Sequence, residues 1–154
     1  MTGTQISTTA HQQIYETDFV EWVDRAAELL KQGNFSELDI EHLVEEVEDL
    51  GRSQRQALKS NLRILLIHLL KWQYQSDKRS SSWISTVNEH RDRIYDLLED
   101  SPSLRNRLLE DFAKTYTQAR KRAASETGLD ISKFPAECLY APEQVLDDEY
   151  WPEI

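Results

Sequence analysis

The sequence has 154 residues and a formal net charge of −10, with 39% of its side chains hydrophobic and 30% charged. That length suits one domain with a well-filled core. The excess of negative charge argues against general binding to nucleic acid or to anionic membranes, because lysine and arginine must neutralise the phosphates there. The single cysteine, Cys138, excludes an intramolecular disulfide and a zinc site made of several cysteines.

Two stretches bear on where the protein acts. The first residues, MTGTQISTTAHQQ, lack the basic and apolar regions of a signal peptide. The longest nearly continuous apolar run, residues 64–70, contains His68 and is far shorter than the roughly 20 residues that span a bilayer. We therefore expect a cytoplasmic protein.

The N-terminal part of the chain is predicted to contain a flexible tail and two helices. We expect the tail at residues 1–13 and a single helical domain at residues 14–154. The first helix is predicted over residues 18–32, followed by a stop at Gly33, and the second over residues 37–50. Apolar residues recur at helical spacing in both segments: Phe19, Trp22, Val23, Ala26 and Leu30 in the first, and Ile40, Leu43, Val44, Val47 and Leu50 in the second.

The third predicted helix is the central core element. Gly51 either ends the second helix or only bends it, since good helix formers follow it. One face of the third helix is apolar, and residues Ile64, Ile67 and Leu70 cover much of its remaining surface. The apolar face consists of Leu58, Leu62, Leu65, Leu66, Leu69 and Trp72. Such a helix is either central or buries its second face against a partner subunit, so a homodimer is a second option.

The C-terminal half is predicted to contain a polar loop, two more long helices and a wrapping segment. We expect the loop at residues 73–82, the fourth helix at residues 83–99 and the fifth at residues 103–127, closed by Gly128. The remainder should pack over the helices as loop, with one short helix after Pro142. The sequence thus predicts an all-α, single-domain bundle of about five helices with a loop-rich C-terminal wrap.

His68 is the first candidate for chemistry. It lies at the edge of the core face of the third helix, and Lys71 follows one turn later. The charge of Lys71 would lower the pKa of a protonated His68, which suits a general base or a metal ligand. The alternative is a structural histidine that a backbone or carboxylate group satisfies.

Acidic residues of the second helix are candidate partners of that histidine. Helical bundles build metal sites from glutamates and histidines, usually as Glu-x-x-His on two helices, and this sequence contains no Glu-x-x-His. A ferritin-like di-metal centre is therefore disfavoured. A mononuclear site that combines Glu45 or Glu46 with His68 or His90 remains as a hypothesis, and a solvated acidic face is the alternative.

Basic and aromatic residues form two further candidate sets. Arg52, Arg55, Lys59 and Arg63 share a helix face, where they pair with glutamates of neighbouring helices or dock an anionic group. A small pocket at one end of the bundle is a second hypothesis, with core packing as its alternative; its lining would be Lys71, Trp72, Trp83, His90 and Arg91. No phosphate-binding loop, nucleophile elbow or zinc spacing occurs, and we expect no cofactor site.

The segments EEVEDLGRSQRQALKSNLRILLIHLLKWQYQSDKRSSSW, SPSL, FPAECLYAPEQVL and WPE resemble a cyanobacteria-rich family catalogued as domain of unknown function twenty-nine. The resemblance extends from Tyr15 to Trp151. It implies an all-helical single domain of bacterial origin with no established activity. The matching positions are Glu45, Glu46, His68, Lys71, Trp72, Trp83 and Arg91, whereas His90 departs from the pattern.

Two functional hypotheses follow. The favoured one is a non-enzymatic interaction or regulatory protein, indicated by the acidic charge, the aromatic-rich C-terminal segment and the lack of a catalytic motif. The alternative is a small enzyme or metal-binding bundle. In that hypothesis His68 acts with Glu45 or Glu46, and Lys71 and Arg91 hold an anionic group.

Overall fold

A computed structural model describes residues 9–153. Helices make up 74% of the structure, and the described residues contain no strand. In chain order the α-helices are α1 (Ala10–Gln13), α2 (Phe19–Lys31), α3 (Ile40–Tyr74), α4 (Ser81–Asp100), α5 (Leu104–Thr127) and α6 (Pro142–Leu146). Short 3₁₀ helices occupy Ser76–Lys78 and Ile131–Lys133. The predicted all-α class is confirmed, and α6 is the short helix expected after Pro142.

The second and third predicted helices are one helix of 35 residues, α3. Gly51 lies inside it with an ordinary negative φ, whereas Gly33 and Gly128 have φ of 68° and 72° and follow the ends of α2 and α5. A glycine within a helix costs only about 1 kcal/mol relative to alanine. With helix formers on both sides, that cost does not end the helix. The described chain therefore contains six α-helices, of which four are long, in line with the predicted bundle of about five helices.

The chain divides after Arg52 into two compact units. The described part of the first unit contains α1, α2 and the start of α3, and the second contains the rest of α3 with α4, α5 and α6. A single domain over residues 14–154 stays a prediction. Of the predicted flexible tail, residues 1–8 lie outside the described residues. Residues 10–13 form α1, which Thr9 caps by accepting a hydrogen bond from the Gln12 N–H.

The first unit has a small core. Ala26, Leu29 and Leu38 are buried together, and Leu43 packs partly against them. The apolar stripe predicted for α2 is buried only in part: the structure buries Trp22 and Ala26 of that stripe and exposes Phe19, Val23 and Leu30. The stripe is broad, and the described residues of this unit cover only the part of it that contains Trp22 and Ala26.

The second unit holds the larger core, and α3 is its central element as predicted. Leu65, Leu66 and Leu69 are fully buried there, together with Val87 and Ile94 of α4. The C-terminal segment completes this core through residues Phe134, Tyr140 and Val145. Polar side chains hold the segment in place: Tyr116 donates to the carbonyl of Pro135 at 2.6 Å, and Arg120 donates to those of Phe134 and Ile131 at 3.0 and 3.1 Å.

Candidate functional site

A buried carboxylate organises the first unit. Asp39 is fully buried just before α3, and its Oδ1 accepts the His42 N–H at 3.3 Å, so it caps the helix. Its Oδ2 accepts hydrogen bonds from Trp22 Nε1 at 3.0 Å and from His42 Nδ1 at 2.6 Å. The carboxylate thus accepts three hydrogen bonds. Burial raises the pKa of Asp39, but the hydrogen bonds from His42 and Trp22 outweigh burial and hold it below its ordinary value.

His11 completes this network from α1. Its Nε2 donates to the carbonyl of Trp22 at 2.8 Å, so its Nδ1 is free to accept the backbone N–H of Asp39 at 2.8 Å. The two bonds fix the ring orientation, with the proton on Nε2. The ring also stacks on Trp22 with centroids 5.0 Å apart. Three segments that are distant in sequence are thereby joined at the start of α3.

Tyr15 and His42 form the more accessible side of the same cluster. Their rings stack with centroids 3.8 Å apart, and Tyr15 donates its hydroxyl proton to Glu46 at 2.6 Å. That bond is the main cause that raises the pKa of Tyr15 to about 12. The hydrogen bond to Asp39 raises the pKa of His42 above its ordinary value. The cluster therefore holds the first turns of α3 in an ordered position.

An exposed row of apolar side chains follows on α3. We call it the apolar row; it consists of Ile40, Val44, Val47 and Leu50, whose exposed fractions are 52%, 49%, 58% and 70%. At about 100° per residue these positions share one helix face. Of the fourteen large hydrophobic residues exposed in the described chain, nine belong to the first unit. Apolar exposure is thus concentrated there.

Acidic residues border the apolar row. Glu41, Glu45 and Glu48 are exposed along one side of it, and Glu46 lies toward the other. Among the salt bridges of the described residues, none involves these four glutamates; the neighbouring Asp49 pairs with Arg52. Within residues 9–153 the row is therefore an apolar strip between glutamates that form no salt bridge.

The histidines of the second unit have local partners. His68 is half-buried and its Nδ1 donates to the carbonyl of Ile64 at 2.9 Å, while Nδ1 of His90 donates to that of Thr86 at 2.7 Å. Burial lowers the pKa of His68, and the charge of Lys71 lowers it further; the hydrogen bond to Ile64 raises it but does not outweigh burial. Because each ring donates to a backbone carbonyl one helical turn earlier, the geometry supports a structural role for both His68 and His90.

Lys71 and Arg91 also bind protein groups. Lys71 Nζ lies 3.6 Å from Glu126 Oε2 and 5.0 Å from the centroid of the Trp83 ring. Arg91 is buried and donates from Nε to the carbonyl of Val145 at 2.8 Å and from Nη2 to that of Tyr150 at 2.7 Å. Burial lowers its pKa. Arg91 thus ties α4 to the C-terminal segment.

The predicted pocket differs from a surface cavity of the second unit that includes Arg91. A surface cavity of about 400 Å³ is lined by Arg91, Ile94, Leu98, Arg105 and Leu146, among others. Of the five predicted lining residues, only Arg91 contributes. Trp72 instead packs against Trp151, with the two ring centroids 4.5 Å apart. The guanidinium carbon of Arg79 lies 4.6 Å from the centroid of the Trp72 ring.

A metal set that joins His68 to Glu45 or Glu46 would combine residues of the two units, and the geometry within each unit gives it no support. Glu46 is engaged by Tyr15, and His68 by Ile64. Between residues 9 and 153 no group of three or more His, Cys, Asp or Glu side chains is close enough to hold a metal ion. None of the helices described there is long and apolar enough to cross a membrane.

Comparison with known proteins decides the family. Residues 14–151 match the family described as Domain of unknown function DUF29. The chain belongs to this family. No curated protein and no solved structure matches it. Membership in DUF29 confirms the resemblance seen in the sequence and adds no assigned activity.

Sequence reasoning missed the Asp39 network in this DUF29 chain, although two signals pointed to it. Asp39 is followed three residues later by His42, the spacing at which a cap residue meets the first turn. Trp22 lies on a predicted apolar stripe, where its indole N–H needs an acceptor. His11 and Tyr15 carried no such signal, because their partners lie 28 and 31 positions away.

Proposed function

We propose that this DUF29 protein is a non-enzymatic interaction or regulatory protein, and that it binds another protein through the apolar row of α3. The observation that carries this proposal is the exposure of Ile40, Val44, Val47 and Leu50 on one face of an ordered helix. Exposed apolar surface is costly at about 25 cal/mol per Å². A contiguous apolar strip bordered by polar residues is typical of a protein interface.

The Asp39 network supports this role because it orders the helix that presents the row. Asp39 caps α3, and Tyr15 braces its first turns through Glu46 and His42. A surface that is already ordered loses little conformational entropy when a partner binds. The row is therefore a docking surface that is already ordered before a partner binds.

Substitution of the row tests the proposal. We expect the double variant Val44→Gln and Val47→Gln to capture its partner from a lysate of the source organism at least tenfold less than the wild-type chain does. Burial of two valines contributes about 1.5 kcal/mol or more each, and 1.4 kcal/mol is a factor of ten in affinity. Quantitative mass spectrometry of the captured proteins gives the measurement.

The matched control is Ile84→Gln with Leu109→Gln, which removes two exposed apolar side chains from helices of the second unit. We expect the control to capture the same proteins as wild type. Equal capture by the row variant and the control would contradict the proposal. Light scattering on the purified chains tests whether a second copy of the chain occupies the row. A wild-type dimer that the row variant converts to a monomer would assign the row to a second copy instead.

We also propose a cytoplasmic location in a cyanobacterium. The net charge of −10 and the hydrophilic composition support the location, and the sequence resemblance to a cyanobacteria-rich family supports the source. Fractionation of the source cells tests the location: we expect recovery of the chain in the soluble cytoplasmic fraction, and recovery with membranes or outside the cell would contradict that location.

A further inference from the structure

We infer that the partner presents a basic amphipathic helix to the apolar row. This inference rests on the proposed function and names the chemistry of the partner. Its first support is the distribution of charge. Residues 1–52 contain twelve acidic and three basic side chains, a formal net charge of −9, whereas residues 53–154 contain sixteen acidic and fifteen basic side chains. Nearly all of the chain's net charge of −10 therefore belongs to the unit that carries the row.

The second support is the position of these charges beside the row. Glu41, Glu45 and Glu48 recur with the same three- and four-residue spacing as the row and lie on its flank. No salt bridge within residues 9–153 compensates them. A partner with lysine or arginine beside its own apolar stripe would neutralise these glutamates while it covers the row. The same charge would repel an acidic partner, a nucleic acid or an anionic membrane.

The third support is the shape of the surface. The row runs from Ile40 to Leu50, which corresponds to about 15 Å of helix at 1.5 Å per residue. Three turns of another helix match that length. Apolar side chains at spacings of three and four residues pack between the side chains of a second helix in the ordinary helix-on-helix arrangement. The row therefore fits one amphipathic helix laid along α3.

Synthetic peptides test the chemistry of the partner without knowledge of its identity. The probe is a fluorescein-labelled 18-residue peptide of leucine and lysine, with leucines spaced to form one helical face. Its controls are a leucine–glutamate peptide of the same pattern and a leucine–lysine peptide of the same composition in scrambled order. We expect fluorescence anisotropy to show at least tenfold tighter binding of the patterned basic peptide than of either control.

Two sets of variants locate the binding. We expect Val44→Gln with Val47→Gln, and separately the triple variant Glu41→Gln, Glu45→Gln and Glu48→Gln, each to weaken binding of the basic peptide at least tenfold. The effect of the triple variant should shrink between 50 and 500 mM NaCl, because salt screens exposed charges. Asp92→Asn, Asp96→Asn and Glu99→Gln form the matched control, with three exposed acids at the same spacing on α4.

Equal weakening by the α4 control would overturn the inference, because attraction by the bulk charge of the protein would then suffice. Binding of the scrambled or acidic peptide as tight as that of the patterned basic peptide would overturn it too, because bulk charge or apolar surface alone would then explain the binding. Different results would contradict the proposed function and the proposed chemistry of the partner. If lysate capture depends on the row but the basic peptide binds no better than its controls, only the partner chemistry is wrong. If capture is indifferent to the row, the proposed function itself is wrong.

Discussion

Replacement of Asp39 by alanine is expected to lower the free energy of unfolding of the first unit by about 2–4 kcal/mol. The substitution leaves the buried Trp22 N–H without an acceptor, which costs about 1–3 kcal/mol, and it removes the cap of α3, which costs about 1 kcal/mol. The three bonds at risk join Asp39 to Trp22 Nε1, His42 Nδ1 and the His42 N–H. Native-state hydrogen exchange of the α2 amides measures the change.

Two variants bracket this result. Asp39→Asn keeps one carbonyl oxygen and loses the charge, so its effect should be smaller than that of alanine. Glu48→Ala removes an exposed acid from the same helix and should change the free energy of unfolding by less than about 0.5 kcal/mol. An effect of Asp39→Ala as small as that of Glu48→Ala would show that the network does not stabilise the unit.

The second large effect is expected in the second unit, where Arg91→Ala should lower the free energy of unfolding by about 2–4 kcal/mol. The carbonyls of Val145 and Tyr150 lose their charged donor, and hydrogen bonds to charged groups contribute about 1.5–3 kcal/mol each. The cost of burying the guanidinium offsets part of the stability that these hydrogen bonds contribute. Urea unfolding measured by circular dichroism gives the change, and faster trypsin cleavage after Lys133 should report the loosened C-terminal segment.

Arg93→Ala is the control for charge, since Arg93 lies two positions later, is exposed and pairs with Glu89. Its effect should stay below about 1 kcal/mol. Arg91→Lys should recover only part of the loss, because one ammonium cannot reproduce the fork that reaches two carbonyls. Full recovery by lysine, or an alanine effect no larger than that at Arg93, would contradict the role assigned to Arg91.

The helices could be predicted from the sequence because their signals are local. Gly33 and Gly128 marked the ends of α2 and α5, and Pro142 marked the start of α6. At Gly51 the sequence permits either an end or a bend of the helix; in the structure Gly51 keeps a negative φ and α3 continues through it. The core of residues 58–70 followed from apolar density alone.

The candidate site could not be predicted, because periodicity shows that a helix is amphipathic and not what covers its apolar face. Ile40, Val44 and Val47 belong to the apolar face predicted for the second helix, and the structure leaves them exposed. The chemistry predicted for His68 rested on its unusual position in an apolar helix. A backbone carbonyl four residues earlier satisfies its Nδ1–H, and no sequence pattern distinguishes that from a ligand.

Site-specific photocrosslinking in the source cells tests the central claim most directly. A benzophenone side chain placed at Val47 lies within the apolar row, and one placed at Leu109 lies on an exposed face of α5 in the second unit. We predict a discrete crosslinked product with a different protein from Val47 and none of comparable yield from Leu109. Equal products from both positions, a product from Leu109 alone, or a Val47 product that contains only a second copy of the chain would contradict the claim.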